Sequence, residues 1–457
     1  MAMNGSSVHS NQSLTGYGQS LNDVQKRSSE IPLISFPTWI ALMAYLFTLA
    51  ITQTVYADPF MNMRWIALGA VTAAAIADWM LIGIRGKHRI QGYNGHLLAV
   101  YLLATFGTII YAENWVFSGM RWASHAAMLV VFLLFLPQIM IPGQTRRIAL
   151  ILKVTMSTLL IFSWLRPIIE LIPDTGEHYH GAMGNSNTMG HIASITAILY
   201  LSSVFSAKRL WPRLLSAAMT AAAILTVWMS GARSSIIALF IGVLLLFHYH
   251  RRETQRYVMA AILLGGLTMT AFPNLPSEIS RFITKADEKD ELSLENPVLR
   301  TRIPTWSAAY DGFKQRPLLG WGFGASSQTP KDTEVGLTAW GLANRDAVND
   351  FMFMLEGCGI VGFLAYLLLI YIVFRQRPSR SQKSILYDYS QGKAGHSGDI
   401  SLHQTHALLY ILAVSLLALN QFDNTALSAG NLICMTLWIS AGCAITLRHE
   451  MNQSQPR

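Results

Sequence analysis

Charge is what this chain is short of. Only 13% of its 457 residues are Asp, Glu, Lys or Arg, against roughly 25% in a soluble domain, while 52% are hydrophobic and the mean hydropathy is +0.35. That balance excludes a water-soluble globular enzyme. Cysteine is scarce too. Cys358, Cys434 and Cys443 all lie in or beside apolar stretches, with no CxxC or Cys/His ligand spacing. A disulfide framework and structural zinc are thereby excluded, and the three thiols read as small buried hydrophobes. The first 30 residues lack an apolar core and a small-residue cleavage site. They are rich in Ser, Asn and Gln, with Lys26 and Arg27 near the end, and read as a disordered cytoplasmic tail (1–36), not a signal peptide. No internal repeat is present.

What the chain has is apolar runs, each long enough to cross a bilayer of roughly 30 Å. Spans are expected at 37–57, 64–84, 96–113, 120–141, 148–167, 188–205, 214–230, 234–249, 257–273, 350–374, 405–420 and 430–447. The fold class is therefore all-α: a polytopic membrane protein with about twelve transmembrane helices. The net charge of +9 does not point to nucleic acid, because the basic residues sit in short clusters between spans. Those clusters are Lys26/Arg27, Arg85/Lys87/Arg89, Arg146/Arg147, Lys208/Arg209/Arg213, Arg251/Arg252/Arg256, Arg375 to Lys393, and Arg448/Arg457. All fall on one side if every span crosses once. The opposite short loops hold only Arg64, Arg121, Arg166 and Arg233. The positive-inside bias then predicts a bacterial inner membrane protein with both termini, and the loop 375–404, in the cytoplasm.

One external segment, 274–349, is far longer than its neighbours and is nearly charge-balanced, so the charge rule does not apply to it. Within it, PVLRTRIPTWSAAYDGFKQRPLLGWGFG predicts an amphipathic helix around Trp306 to Phe313 and then a Pro/Gly-rich turn. The chain thus divides into the tail, spans one to nine (37–273), this loop, spans ten to twelve (350–447) and a short cytoplasmic tail (448–457).

Three places put polar groups at the external face. The loop RPIIELIPDTGEHYHGAMGNSN offers Arg166, Glu170, Asp174, His178, His180, Asn185 and Asn187. Most of these suit an ordinary wet loop, and the His-x-His pair lacks a third metal ligand. Next, MSGARSS places Arg233 in a hairpin with almost no loop. A guanidinium there costs a few kcal/mol unless it is paired or hydrated, so an anionic partner explains it better than snorkelling. Last come Arg300, Arg302 and ANRDAVNDFMFMLEGCGIVG, where Glu356 lies about two turns into an apolar helix. Gly357, Gly359 and Gly362 would let a neighbouring helix or a lipid-linked ligand come close.

At these places the sequence resembles the superfamily of O-antigen ligases and O-antigen/exopolysaccharide polymerases. The resemblance rests on Gly184, Asn187 and Gly190; on Ser230-Gly-Ala-Arg233; on Arg302, Trp306, Pro317, Gly320, Gly322 and Gly324; and on Asn349 followed in register by Gly359 and Gly362. It covers roughly residues 180–370. The histidine of the family's closing motif is Val348 here, which favours polymerase over ligase.

The resemblance implies a GT-C-like membrane glycosyltransferase that joins undecaprenyl-diphosphate-linked oligosaccharides at the periplasmic face. Arg233 and Arg302 would clamp the diphosphate, with Arg300 as stand-in, since guanidinium forks bind phosphate oxygens in bidentate fashion. Asp346, Asp350, Glu356 and His180 are candidate proton acceptors. Arg166, Asn187, Trp306 and Asn349 are candidate substrate contacts, and Trp321, Trp340 and Tyr310 are candidate sugar platforms or interfacial anchors. No metal or other cofactor is expected, since arginine meets the diphosphate charge and no DxD-like pair occurs in an external loop. Expected partners are the lipid-linked donor, the growing glycan, the bilayer, and a chain-length regulator and flippase of the same pathway. Two readings stay open: ligation to lipid A core within the family, and, from another class, a transporter or lipid flippase.

Overall fold

The structure is a computed structural model. It describes residues 35–56, 60, 62–84, 92–140, 142–170, 179–183, 185–207, 209–249, 303–327, 329, 349–378, 397–421, 427 and 431–454. Among these the chain is helical, with a single isolated β-bridge between Thr54 and Met183. The helices are α1 (Phe36–Thr52), α2 (Met63–Ile84), α3 (Gly92–Ile109), α4 (Trp115–Ile139), α5 (Pro142–Glu170), α6 (Ser186–Ser206) and α7 (Leu210–Ser230). They continue with α8 (Arg233–Tyr249), α9 (Ile303–Gln315), α10 (Asp350–Arg375), α11 (Ser397–Asn420) and α12 (Leu432–Ser454). Eight are long and apolar enough to span a bilayer, and α1, α3 and α8 are shorter apolar helices. Eleven of the expected spans thus coincide with helices; the ninth, 257–273, lies outside the described residues.

Helix starts follow local chemistry. Ser35 caps α1 and Asn114 caps α4, each side-chain oxygen accepting a first-turn N–H. Asp78 is a buried carboxylate inside α2. Its Oδ2 accepts from the Ser35 N–H (2.9 Å) and the Thr38 hydroxyl (2.7 Å), so its charge is met by the start of α1. α4 contains a π-helical stretch, Val130–Phe135, where Gly442 of α12 lies against the Phe132 carbonyl with no room for a side chain.

α6, α11 and α12 form the centre. In α12, 89% of the apolar window is buried, against 28% in α2 and α7 at the periphery. Trp438 of α12 is fully buried, and all three cysteines are free and buried, as expected. One end of the bundle gathers the polar connections. There the Val55 N–H donates to Ala182 C=O (2.9 Å) and Tyr179 N–H to Met229 C=O (3.0 Å), while Arg316 pairs with Glu113 (2.6 Å). The first two contacts join the ends of α1 and α7 to the 179–183 segment, and the third joins the end of α3 to the end of α9. This end is called the site face below.

The tenth span departs from expectation. Gly359 adopts φ 62°, ψ −165° inside α10, and the chain reverses there. Asp350 Oδ2 accepts from the Tyr366 hydroxyl at 2.9 Å, and the Phe351 ring lies 5.6 Å from Phe363. A continuous helix would separate Asp350 from Tyr366 by about 24 Å. α10 is therefore a short ascending arm, 350–358, folded back on a descending arm, 360–375.

Candidate functional site

The reversal in α10 organises one half of the site face. It frees backbone groups that a helix would use, and the Pro/Gly-rich turn after α9 takes them up. Ile360 N–H donates to Pro317 C=O (2.9 Å) and Val361 N–H to Leu318 C=O (3.3 Å); in the other direction Trp321 N–H donates to Glu356 C=O (3.1 Å) and Gly322 N–H to Gly357 C=O (2.7 Å). The glycines read from the sequence as room for a neighbouring helix or a lipid-linked ligand are packed against the protein itself. Gly359 makes the turn against Leu318, Gly357 faces the carbonyls of Gly322 and Ala325, and Gly362 lets the two arms of α10 cross at Cys358.

The same turn reaches α4. Gly324 C=O accepts from Arg121 Nη1 (2.6 Å), and the Arg121 guanidinium lies over the rings of Phe117 (5.3 Å) and Phe353 (5.7 Å). Below it, His125 stacks on Phe323 and meets the Tyr101 hydroxyl at 3.1 Å. Arg121 was visible only as one of four external arginines, because its partner lies 203 positions away.

The fold-back inverts the depth expected for the two acids. Glu356 stands close to the turn at the site face, where its Oε1 accepts from the Ser327 N–H (3.0 Å) and hydroxyl (3.1 Å). Gly312 of α9 touches the same carboxylate, and a methyl group there would come within 2.5 Å of Oε1. Asp350, at the far end of the ascending arm, is fully buried. Asn349 caps that arm, its Oδ1 accepting from Phe351 and Met352 N–H and its Nδ2 donating to Gln421 C=O (2.6 Å). Trp306 is partly buried on α9, and its indole N–H finds no acceptor among the described residues. Trp321 serves the fold: its indole N–H donates to Gly312 C=O (3.0 Å) and its ring lies under Arg316. Tyr310 stacks on Phe313.

The other half is built on the α7–α8 hairpin. Gly231 ends α7 in the left-handed region, φ 65°, and Arg233 is the first residue of α8. A guanidinium and a helix N-terminus thus present positive charge together. Gly190 of α6 lies against Ser230, Ala232 and Ser235, with no space for a side chain. His191 Nε2 meets the Ser234 hydroxyl at 3.2 Å. Two sequence blocks of the resemblance therefore meet in space. His191, buried and one residue past Gly190, was not singled out; a lone histidine in an apolar span carries no signal until its neighbour is known.

Arg166 donates through Nη1 to Gly181 C=O and His180 Nδ1 meets Met183 C=O (3.3 Å), so both brace the 179–183 segment. Asn187 is exposed at the start of α6. Arg300, Arg302, Asp346, Val348 and Trp340 lie outside the described residues, as does the convergence of Arg302 on Arg233.

Residues 218–367 match the family model described as O-antigen ligase. The match begins in α7 and runs through the Arg233 hairpin, α9, the glycine-rich turn and the reversal of α10. No curated protein matches this chain.

Proposed function

We propose, from the match of residues 218–367 to the family model described as O-antigen ligase, that this protein belongs to the O-antigen ligase/polymerase superfamily and polymerises undecaprenyl-diphosphate-linked oligosaccharide repeat units. The reading places the site face in the periplasm and both termini in the cytoplasm, following the basic loops. A hydroxyl of the acceptor glycan attacks C1 of the donor sugar, the C1–O bond breaks, the diphosphate leaves with the electron pair, and the hydroxyl's proton passes to one of the candidate acceptors Asp346, Asp350, Glu356 or His180. Negative charge grows on the diphosphate as that bond lengthens. Arg233, at the head of α8, meets it more strongly in the transition state than in the ground state. Arg302 immediately precedes α9 and supplies the second guanidinium. Arginine meets this charge at any pH, so no metal is required.

The observation that carries the reading is the docking of the turn 317–324 onto the α10 reversal, which makes a single unit of two sequence blocks inside the matched domain. It holds α9 against α10 at the site face. Val348 in place of the family histidine favours polymerisation over transfer to lipid A core. A chain-length regulator and a flippase are the expected companions in the cell.

The test is polymer formation from lipid-linked repeat units by the purified protein in vesicles. Arg233→Ala and Arg302→Ala should each lower the rate by about 10²–10³-fold at equal insertion. Normal-length polymer from either variant rejects the reading. Glycan on lipid A, with none lengthened on the carrier, would make the protein a ligase.

A further inference from the structure

The end of the bundle opposite the site face brings positive groups together from three helices. α10 ends there at Arg375, with Arg377 just beyond it. His406 lies about one turn inside the start of the apolar window of α11, Leu402–Asn420, and Arg448 about one turn before the end of that of α12, Leu432–Asn452. Arg448 is within electrostatic reach of Arg375 and Arg377, and His406 of Arg448 and His403. Arg377 also acts on Tyr410 of α11 and Tyr249 of α8, whose rings meet edge to face at 6.2 Å.

Basic residues at a membrane boundary are ordinarily met by water, their stems lying along apolar surface. Burial rules that out for two of these. His406 is 1% exposed, and neither ring nitrogen has a hydrogen-bond partner among the described residues. Its ring lies beside the Gln376 backbone, outside hydrogen-bonding geometry, and faces Arg448 and His403. Arg448 Nη1 is buried and has no hydrogen-bond partner there either. The groups that act on this guanidinium are two like charges and the Tyr371 phenol. No carboxylate among the described residues acts on Arg448 or His406. Buried donors left open and like charges held together both cost free energy, and one bound anion relieves both costs.

We propose that Arg377, Arg448 and His406 form a phosphate-binding site at this end, apart from the Arg233 hairpin and independent of the polymerase reading. Guanidinium forks take phosphate oxygens in bidentate fashion, and the imidazole adds a donor at the inner edge. Two guanidinium groups, with Arg375 near, match a group of three or four oxygens and more than one negative charge. A carboxylate has two oxygens and one charge. Phosphate reaches this place on a lipid headgroup or free in water. The lipid side is open, since Tyr371 and Phe374 on the same arm of α10 are 48% and 47% exposed. Basic pockets between helix ends at this depth suit a headgroup such as that of cardiolipin, which carries two phosphates.

The test reads binding and needs no polymer. Full-length protein in phosphatidylcholine nanodiscs is titrated with cardiolipin in one series. In a second, without cardiolipin, it is titrated with pyrophosphate at constant ionic strength. The unfolding midpoint should rise and saturate in at least one series. A rise with cardiolipin alone assigns a lipid headgroup, a rise with pyrophosphate alone a soluble phosphate, and a rise in both a site open to either. Arg448→Gln and Arg377→Gln should each raise the half-saturating concentration about fivefold. Arg213→Gln, at the same end on α7, should leave it unchanged. Arg377 is exposed, so its variant carries the test where Arg448→Gln does not fold. No saturable rise in either series overturns the proposal, and so does a wild-type half-point in a folded Arg377 or Arg448 variant. An equal loss in Arg213→Gln would show general charge attraction and overturn it too.

Discussion

Asp350 and Tyr366 stand 16 positions apart in one predominantly apolar stretch, yet their side chains share a hydrogen bond of 2.9 Å. That contact is possible only because α10 turns back on itself at Gly359, and most of the site face depends on the reversal.

Gly359→Ala should be damaging on two counts. A non-glycine residue at φ 62°, ψ −165° costs about 1–3 kcal/mol in backbone strain, and the new methyl would fall on Leu318. The expected result is loss of polymer with a lowered midpoint in thermal unfolding. Wild-type activity from Gly359→Ala would mean that the reversal is not needed.

Gly312→Val tests the seat of α9. Its side chain collides with Glu356, so α9 must lift from α10, at a cost of about 1–3 kcal/mol for overpacking. Activity should fall with little loss of protein from the membrane, and protease should cut near 303–315 faster than in the wild type. Equal cleavage rates would contradict it.

Tyr366→Phe removes a hydroxyl from a fully buried carboxylate. The loss should be about 1–3 kcal/mol of stability, and Asp350→Asn in the same background should recover part of it, because a neutral amide is cheaper to leave underbonded. Additive losses in the double variant would show that the two side chains are not coupled.

Gly190→Val should act on Arg233 without touching it. The added bulk meets Ser230, Ala232 and Ser235 and displaces the hairpin. A shift of about 1 Å at a reacting contact is enough for a 10²-fold drop, so the rate should fall by that order while insertion is normal.

Arg316→Ala is the contrast. Its partner is Glu113 at 2.6 Å, but both side chains are about a third exposed, and such pairs contribute about 0–1 kcal/mol. Polymer length and unfolding midpoint should stay near wild type. A large effect would mean that its contacts with the Trp321 ring (4.0 Å) and the Tyr111 C=O (3.3 Å) contribute more than the ion pair does.

Much of the frame is legible without coordinates. Apolar runs a bilayer long, separated by basic clusters on alternate connections, force a multispanning helical bundle, because unpaired backbone is not tolerated in lipid. Short-range spacing also marked the α7–α8 hairpin and the helix at Trp306–Phe313, since capping and periodicity act within a few residues. What hydropathy could not register was the reversal in α10: an apolar stretch reads the same whether it crosses the membrane or doubles back within it. Only tertiary contact placed Glu356 beside Ser327 and Gly312 and Asp350 at the far end of its arm, seated Gly190 under the Arg233 hairpin, and set Arg121 against Gly324. Each of these depends on residues tens to hundreds of positions apart, and nothing local in the chain encodes which of them will meet.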